Sequence, residues 1–261
     1  MCCFSGPVRD VSATKIFARL EPAAEGAPAR QVIAYAMELT AAQDVAMVLP
    51  LPTPADSADD AVRFVNLEGY PELFDRLFAA FPRPQSRGGT LGPDAVAKGE
   101  RAPLEVHAVG AFEASFVPRR ADFARLDARF RLPEQAWDGL PGYATYGFAV
   151  FKLKAGERKK VHPMAFSFPT RYPARLFFPT VHVHDGTAPA QARFDHTLYW
   201  QVAPEQEVEG EEQARWQESP GTADAHVDTK KAQGLVRGDW HLHMHAIVGR
   251  RPNRDVLLRV K

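Results

Sequence analysis

The chain has 261 residues, and its 32 Lys plus Arg balance 32 Asp plus Glu, so the formal net charge is zero. A balanced charge gives no sign of a nucleic-acid or anionic-membrane partner, and no stretch approaches the ~20 apolar residues that a membrane helix needs. The opening MCCFSGPVRD lacks the basic and apolar regions of a signal peptide, so we expect a cytoplasmic protein.

The first third of the chain alternates apolar segments with breaks rich in proline and glycine. Strands are predicted at 12–20, 31–39 and 44–52, where β-branched and aromatic residues are bounded by turn-forming residues. The apolar spacing in YPELFDRLFAAF predicts a helix over 70–81. A loop, 82–103, follows that helix.

The rest of the chain adds mostly strands. We predict one long strand over 104–118 with Gly110 as a bulge, a helix over 120–130, and a solvated loop or insertion over the acidic segment 204–224. Further strands are predicted at 143–154, 164–170, 175–184, 196–202, 239–249 and 255–260.

This order of elements predicts an α+β fold that is β-rich, with mostly antiparallel sheets and a few helices. We expect one domain, 1–261. The alternative organisation is two halves, 1–81 and 104–261, joined by the loop 82–103.

The segment GDWHLHMHAIVG, 238–249, contains three of the nine histidines. Residues two apart on a strand point to the same face, so His241, His243 and His245 share a face with Asp239. The residues between them are apolar and indicate a core-facing side. Same-face neighbours lie about 6.5 Å apart along a strand, which allows two imidazoles to bind one metal ion.

A second histidine pair occurs in PTVHVHDG, where His182 and His184 are predicted on one face of another apolar strand. If the two strands are neighbours, five imidazoles can converge. Four nitrogens suit zinc or copper, whereas an open position with carboxylate support suits iron. Asp239 is expected to accept an imidazole N–H rather than to bind the metal. His196 shares its face with Trp200, which indicates a core histidine.

Cys2 and Cys3 are the only cysteines, and adjacent cysteines rarely pair with each other. Three interpretations follow. Both can be buried, inert thiols. They can join the imidazoles as ligands, which favours copper or zinc. They can also be catalytic: after removal of Met1, Cys2 becomes an N-terminal nucleophile whose own amine acts as base.

The opening MC, followed by the strand TKIFAR, resembles the N-terminal cysteine hydrolases of the bile-salt-hydrolase and amidotransferase kind. This resemblance implies an amide hydrolase with Cys2 as nucleophile and Arg19 as its partner, although those enzymes have no use for an HLHMH strand. The combination of MCCFS, DVAMVLPLPTP and FDHTLY resembles a bacterial protein family with no known activity, which implies an intact bacterial domain and no particular reaction.

The sequence therefore predicts a metal-binding protein with His241, His243, His245, His182 and His184 as ligands. Copper or zinc is the expected cofactor, with iron as a further option. An oxidoreductase acting on a small molecule is favoured over a hydrolase, and neither nucleic acid nor a membrane is expected as a partner. The alternatives are an N-terminal cysteine amide hydrolase and a non-enzymatic metal carrier or storage protein.

Overall fold

The computed structural model describes residues 3–82, 107–109, 112–132, 134–138, 140–183 and 187–261. Its two α-helices are α1 (Leu73–Ala79) and α2 (Glu134–Asp138). Its strands are β1 (Cys3–Phe4), β2 (Asp10–Glu21), β3 (Arg30–Ala41), β4 (Val45–Leu51), β5 (Arg63–Asn66), β6 (His107–Val109), β7 (Phe112–Val117), β8 (Gly147–Leu153), β9 (Gly156–Pro169), β10 (Arg175–Phe178), β11 (Gln191–Gln201), β12 (Val208–Glu209), β13 (Gln217–Thr222), β14 (His241–Pro252) and β15 (Val256–Val260).

These strands form two large sheets and one small sheet. The seven-stranded sheet has the order β13-β14-β11-β2-β3-β9-β5, the five-stranded sheet β1-β4-β8-β7-β6, and the three-stranded sheet β10-β15-β12. Among the described strands, β11 and β2 run parallel and the remaining pairs are antiparallel. The predicted β-rich α+β fold with mostly antiparallel sheets and a few helices is confirmed.

The main apolar core lies where the two large sheets stack face to face. Ile16 and Ile33 of the seven-stranded sheet belong to the same cluster of buried side chains as Met47 and Phe151 of the five-stranded sheet. The small sheet closes one part of this core through Leu258 and its neighbours. Burying each of these side chains stabilises the fold by roughly 1.5–3 kcal/mol.

The outer faces of both large sheets are covered as well. On the seven-stranded sheet, Phe17 packs with Leu77 of α1 and with Leu235 of a loop. On the five-stranded sheet, Val48 packs in a cluster with Trp137 of α2. Because the central strands are buried on both faces, they appear in the sequence as continuous apolar runs rather than as alternating patterns.

The prediction of one strand over 104–118 is wrong. The chain reverses there, since β6 pairs antiparallel with β7 and places His107 opposite Ala114. The predicted bulge, Gly110, lies outside the described residues. The predicted helix over 120–130 consists of two 3₁₀ turns, Arg120–Arg125 and Ala128–Phe130.

The predicted strand over 175–184 ends early, at Phe178. The carboxylate of Asp255 accepts the backbone N–H groups of Thr180 and Val181 at 2.8 and 3.0 Å. The side chain of Asn253 accepts the backbone N–H of His182 at 2.7 Å. These side chains take the hydrogen bonds that a neighbouring strand would otherwise make, so His182 lies outside a regular strand.

The acidic segment 204–224 is not only a solvated loop, because it contains β12 and β13. β13 pairs with β14 and forms an edge of the seven-stranded sheet. Its polar composition is typical of an edge strand, and Pro220 within it is tolerated at that position.

Strands from both predicted halves share the large sheets, since β3 pairs with β9 and β4 with β8. The predicted joining loop, 82–103, lies outside the described residues apart from Pro82. Among the described helices, none has the length and apolar character needed to cross a membrane.

Candidate functional site

β14 presents its histidines and its apolar residues on opposite faces, as the alternation predicts. Leu242 and Met244 pack in the outer cluster beside α1. His243 lies directly opposite Trp200 of β11, which belongs to the main core. Directly opposite residues of an antiparallel pair point to the same face of the sheet. His243 therefore lies on the face of the sheet that packs on the main core, next to Trp200 at one end of that core.

His243 lies in the middle of a row of side chains that crosses three strands. Trp200 on β11 is opposite it on one side, and Glu218 on β13 is opposite it on the other. The imidazole stacks on the Trp200 indole, with ring centroids 5.5 Å apart and planes inclined by 12°. Burial lowers the pKa of His243 below its ordinary value, so the ring is neutral at pH 7.

The other two histidines of β14 have different partners. His241 Nδ1 donates to the carbonyl oxygen of Ser219 at 2.8 Å. His245 Nε2 lies 3.1 Å from Glu212 Oε2, and the other oxygen of Glu212 accepts from Arg251 at 2.7 Å. Burial lowers the pKa of His245 even though Glu212 favours the charged ring. His245 thus has its own partners, whereas His241 and His243 both lie near Glu218.

Of the second predicted pair, the structure describes His182. The ring of His182 packs against Phe194 and His196, at centroid distances of 4.4 and 5.2 Å. His182 is 3 % exposed and His196 is fully buried, which confirms that His196 is a core histidine. His184 lies outside the described residues.

Across the described ranges, no group of three or more His, Cys, Asp or Glu side chains is arranged to hold a metal ion. The expected convergence of His182 with the β14 histidines is therefore not seen in this part of the chain. Asp239, expected to accept an imidazole N–H, instead pairs with Arg237 at 3.1 Å. Hydrogen bonding from Arg237 also lowers the pKa of Asp239.

The described cysteine, Cys3, is buried in the apolar cluster on the outer face of the five-stranded sheet. Apolar surroundings disfavour a thiolate, so this position favours the inert-thiol interpretation for Cys3. Cys2 lies outside the described residues. Arg19, the partner implied for it, is on the other large sheet and donates to the carbonyl oxygens of Gly234 and Leu235 at 2.7 and 3.0 Å.

A cavity of about 600 Å³ opens beside the row of Trp200, His243 and Glu218. Its apolar wall includes a second tryptophan, Trp216, from the turn before β13. The two indole rings meet edge to face, with centroids 5.0 Å apart and planes at 77°. The polar lining residues are Gln206, Glu207, Glu209, Gln213, Gln217, Glu218, His241 and His243.

The indole N–H groups of Trp200 and Trp216 are buried, and neither has a hydrogen-bond acceptor in the described part of the chain. A buried donor without an acceptor costs about 1–3 kcal/mol. Gly210 makes room for Trp216, because a Cβ atom there would lie 2.9 Å from the indole Cζ2. Both donors are thus enclosed by the protein behind the wall of the cavity rather than presented to it.

The rim of the cavity is acidic. It carries the carboxylates of Glu207, Glu209 and Glu218, while no Lys or Arg is among the described lining residues. Lys261 hydrogen-bonds Glu209 and thereby lowers the pKa of that carboxyl. Glu218 lies 3.7 Å from Nδ1 of His241.

The sequence did not indicate the parts of this cavity that come from 204–224. Trp216 and Glu218 lie in that segment, whose acidic composition predicted a solvated loop. The available signal was Trp216 itself, because so large an apolar side chain in a polar stretch usually packs against a core. It does so here, against the main apolar cluster.

No protein-family model matches the chain, and none of the curated proteins matches it. Solved structures of baculovirus P35 are distantly similar. The crystal structure of P35 is 12 % identical with a TM-score of 0.46, and the match covers 97 % of each chain. The caspase-8/P35 complex gives 12 % identity and a TM-score of 0.45, covering 95 % of this chain and 96 % of that one. At these values the similarity carries no argument about function.

Proposed function

We propose that this chain is a binding protein for a small organic molecule, which enters the cavity beside Trp200, Trp216 and His243. The observation that carries the proposal is a cavity of about 600 Å³ in which the partly exposed Trp216 lies beside the imidazoles of His241 and His243.

The size of the cavity supports this proposal. Its volume of about 600 Å³ falls within the roughly 300–1,000 Å³ of small-molecule sites. Such sites combine apolar and aromatic walls with a few polar groups that orient the ligand. Here the accessible aromatic surface comes from Trp216, since Trp200 is fully buried behind it, and the orienting groups are His243, Glu218 and the glutamines.

The proposal is tested by a ligand-observed NMR screen of a diverse set of small molecules against the wild-type protein and two variants. Compounds that bind the wild type are expected to lose binding to Trp216→Ala and to keep it with Trp240→Phe, which changes a tryptophan that does not line the cavity. The proposal is wrong if no compound binds, or if every binder tolerates Trp216→Ala.

A second proposal is the metal-binding function indicated by the histidine pattern. It is supported by His241 and His243, two imidazoles that line the same cavity, although no third His, Cys, Asp or Glu among the described residues is arranged with them to hold an ion. The copper- or zinc-dependent oxidoreductase, with iron as a further option, belongs to this proposal, as does the carrier or storage protein.

Metal analysis of protein purified without a histidine tag tests this second proposal. We expect stoichiometric metal in the wild type and in His226→Ala, an exposed histidine, and a sharp loss in His243→Ala. Equal metal content in all three proteins would contradict it. The amide-hydrolase proposal has its own test, since intact mass shows whether Met1 is removed to free the amine of Cys2.

A further inference from the structure

We infer that the segment 211–215 is a strap that opens and closes over one side of the cavity, and that the carboxylate of Glu212 is the latch that holds it closed. The inference rests on the proposed small-molecule function, because it concerns how a ligand reaches that same cavity. The strap connects β12 to β13, and the cavity lining includes Gln213 of the strap and the adjoining Trp216.

The carboxylate of Glu212 joins the strap to β14. Its Oε2 atom lies 3.1 Å from Nε2 of His245, and its Oε1 atom accepts from Nη1 of Arg251 at 2.7 Å. The Oε1 atom also accepts from Arg215 within the strap, at 3.1 Å. The side chain of His245 is 7 % exposed and that of Glu212 is 26 % exposed. The latch therefore lies partly inside the protein, where hydrogen bonds to a charged group are stronger than in water.

The backbone of Glu212 is strained while the strap is closed. Its φ of 58° and ψ of 27° lie in the left-handed region, which favours glycine. Another residue keeps this conformation only where its surroundings impose it, and here the contacts of the carboxylate impose it. Release of the carboxylate therefore lets the backbone relax and the strap move away from β14.

Little else holds the strap in place. Its sequence, EEQAR, has no large apolar side chain to anchor it in the core. Glu211 pairs with Arg254 at 2.5 Å, but both side chains are exposed, and an exposed ion pair contributes little stability. Within the described chain, the backbone N–H of Arg215 donates to the carbonyl oxygen of Glu212, so this hydrogen bond closes on the strap itself. The closed position consequently depends on the latch.

These properties are those of a lid. Segments with few buried apolar contacts open locally at a low cost in free energy, and the lids of ligand sites are drawn from such segments. Opening of this strap displaces Gln213 and frees Trp216 to move, so it changes both the width of the cavity and its accessible aromatic surface.

Hydrogen exchange of the full chain, followed by mass spectrometry, tests the latch. In Glu212→Ala we expect the amides of Arg215 and Trp216, which donate within this turn, to exchange about tenfold faster than in the wild type. Glu212→Gln keeps the shape of the side chain without its charge and should give a smaller increase. The matched control is Glu205→Gln, an exposed carboxylate outside the strap that does not line the cavity.

The control of the cavity is tested with a compound that binds in the NMR screen. We expect its association and dissociation rates to rise severalfold in Glu212→Ala, because a strap that is more often open admits and releases the ligand faster. Stopped-flow tryptophan fluorescence measures both rates. The Glu205→Gln protein should keep the rates of the wild type.

The outcomes separate this inference from the proposed function. Equal exchange in Glu212→Ala and in the wild type would overturn the latch, whether or not a ligand is found. Faster exchange with unchanged binding rates would overturn the control of the cavity and leave small-molecule binding standing. If no screened compound binds, the proposed function itself fails, while the exchange measurement still decides whether Glu212 holds the strap.

Discussion

Gly210 is the residue on which the position of Trp216 depends. A Cβ atom at this position would lie 2.6 Å from Leu258 Cδ2 and 2.9 Å from Trp216 Cζ2. The leucine methyl group can move aside at little cost, but the indole is a rigid ring. Any side chain at this position therefore displaces Trp216 from its present position.

We expect Gly210→Ala to lower the free energy of unfolding by about 1–3 kcal/mol, the usual cost of overpacking, and to weaken ligand binding. Urea denaturation and the fluorescence spectrum of the folded state measure the two effects. Gly221→Ala is the matched control, since a Cβ there has nothing within 4 Å. Comparable losses in both variants would show that Gly210 has no special role.

The histidines of β14 show which features strand alternation predicts and which it does not. Strand alternation correctly placed Leu242 and Met244 on one face and His243 on the other. It did not give the neighbours across the sheet, because these depend on strand order and register. Those neighbours give each imidazole its own partners: Glu212 for His245 and Trp200 for His243.

At the scale of elements, the long apolar strands and α1 were predicted because their patterns are strong over many residues. The hairpin of β6 and β7 was missed because both of its strands are apolar and appear as one run. β13 was missed because an edge strand that faces solvent has a polar composition. In both cases the deciding factor is a tertiary contact with another strand.

Arg19 holds the loop that covers the outer face of the seven-stranded sheet. Its guanidinium donates to the carbonyl oxygens of Gly234 and Leu235, although burial of the group lowers its pKa. The two charge-assisted hydrogen bonds to backbone carbonyls offset much of the cost of removing the Arg19 guanidinium from water. The loop in turn buries Leu235 against Phe17.

Replacing Arg19 with Met keeps most of the apolar stem and removes both hydrogen bonds. We expect the amide of Leu235, which donates to Ala232, to exchange with solvent about tenfold faster or more, since hydrogen bonds from charged groups contribute about 1.5–3 kcal/mol. Hydrogen exchange followed by mass spectrometry measures this. Arg63→Met, at an exposed position, should leave the loop unchanged, and similar exchange in both variants would refute the role of Arg19.

At the scale of the whole molecule, two stacked sheets with covered outer faces leave several histidines in the interior. Burial lowers the pKa of His196 well below its ordinary value, and it also lowers the pKa values of His162 and His243. Below about pH 6.5 the unfolded chain binds protons at these positions that the folded chain does not. The contribution of these neutral histidines to stability is therefore complete above about pH 6.5. It is lost as the pH falls toward the lowered pKa values that the histidines have in the folded protein.

We expect the free energy of unfolding to decrease between about pH 6.5 and about pH 5, with a slope of up to about 1.4 kcal/mol per pH unit from His196 alone. His196→Gln should reduce this slope, whatever it does to stability at neutral pH. Urea titrations at several pH values provide the measurement, with the exposed His226→Gln as control. An unchanged slope in His196→Gln would contradict the assignment.

The candidate cavity shows what the sequence alone can and cannot predict at this scale. The pattern of β14 drew attention to His241 and His243, which do line the cavity. The acidic rim and Trp216 come from the segment between β11 and β14, where the pairing of β12 with β15 and of β13 with β14 positions them. Such a site depends on strand order, which local patterns do not contain.

The most direct test of a ligand site beside Trp216 is fluorine NMR of protein labelled with fluorotryptophan, titrated with a compound that binds in the small-molecule screen. The four tryptophans give one signal each, assigned by substitution. We expect the signal of Trp216, which lines the cavity, to shift with a saturation curve, while the signal of Trp137, in the outer cluster of the other sheet, stays fixed. A Trp216 signal that remains unchanged at saturating compound would contradict the account.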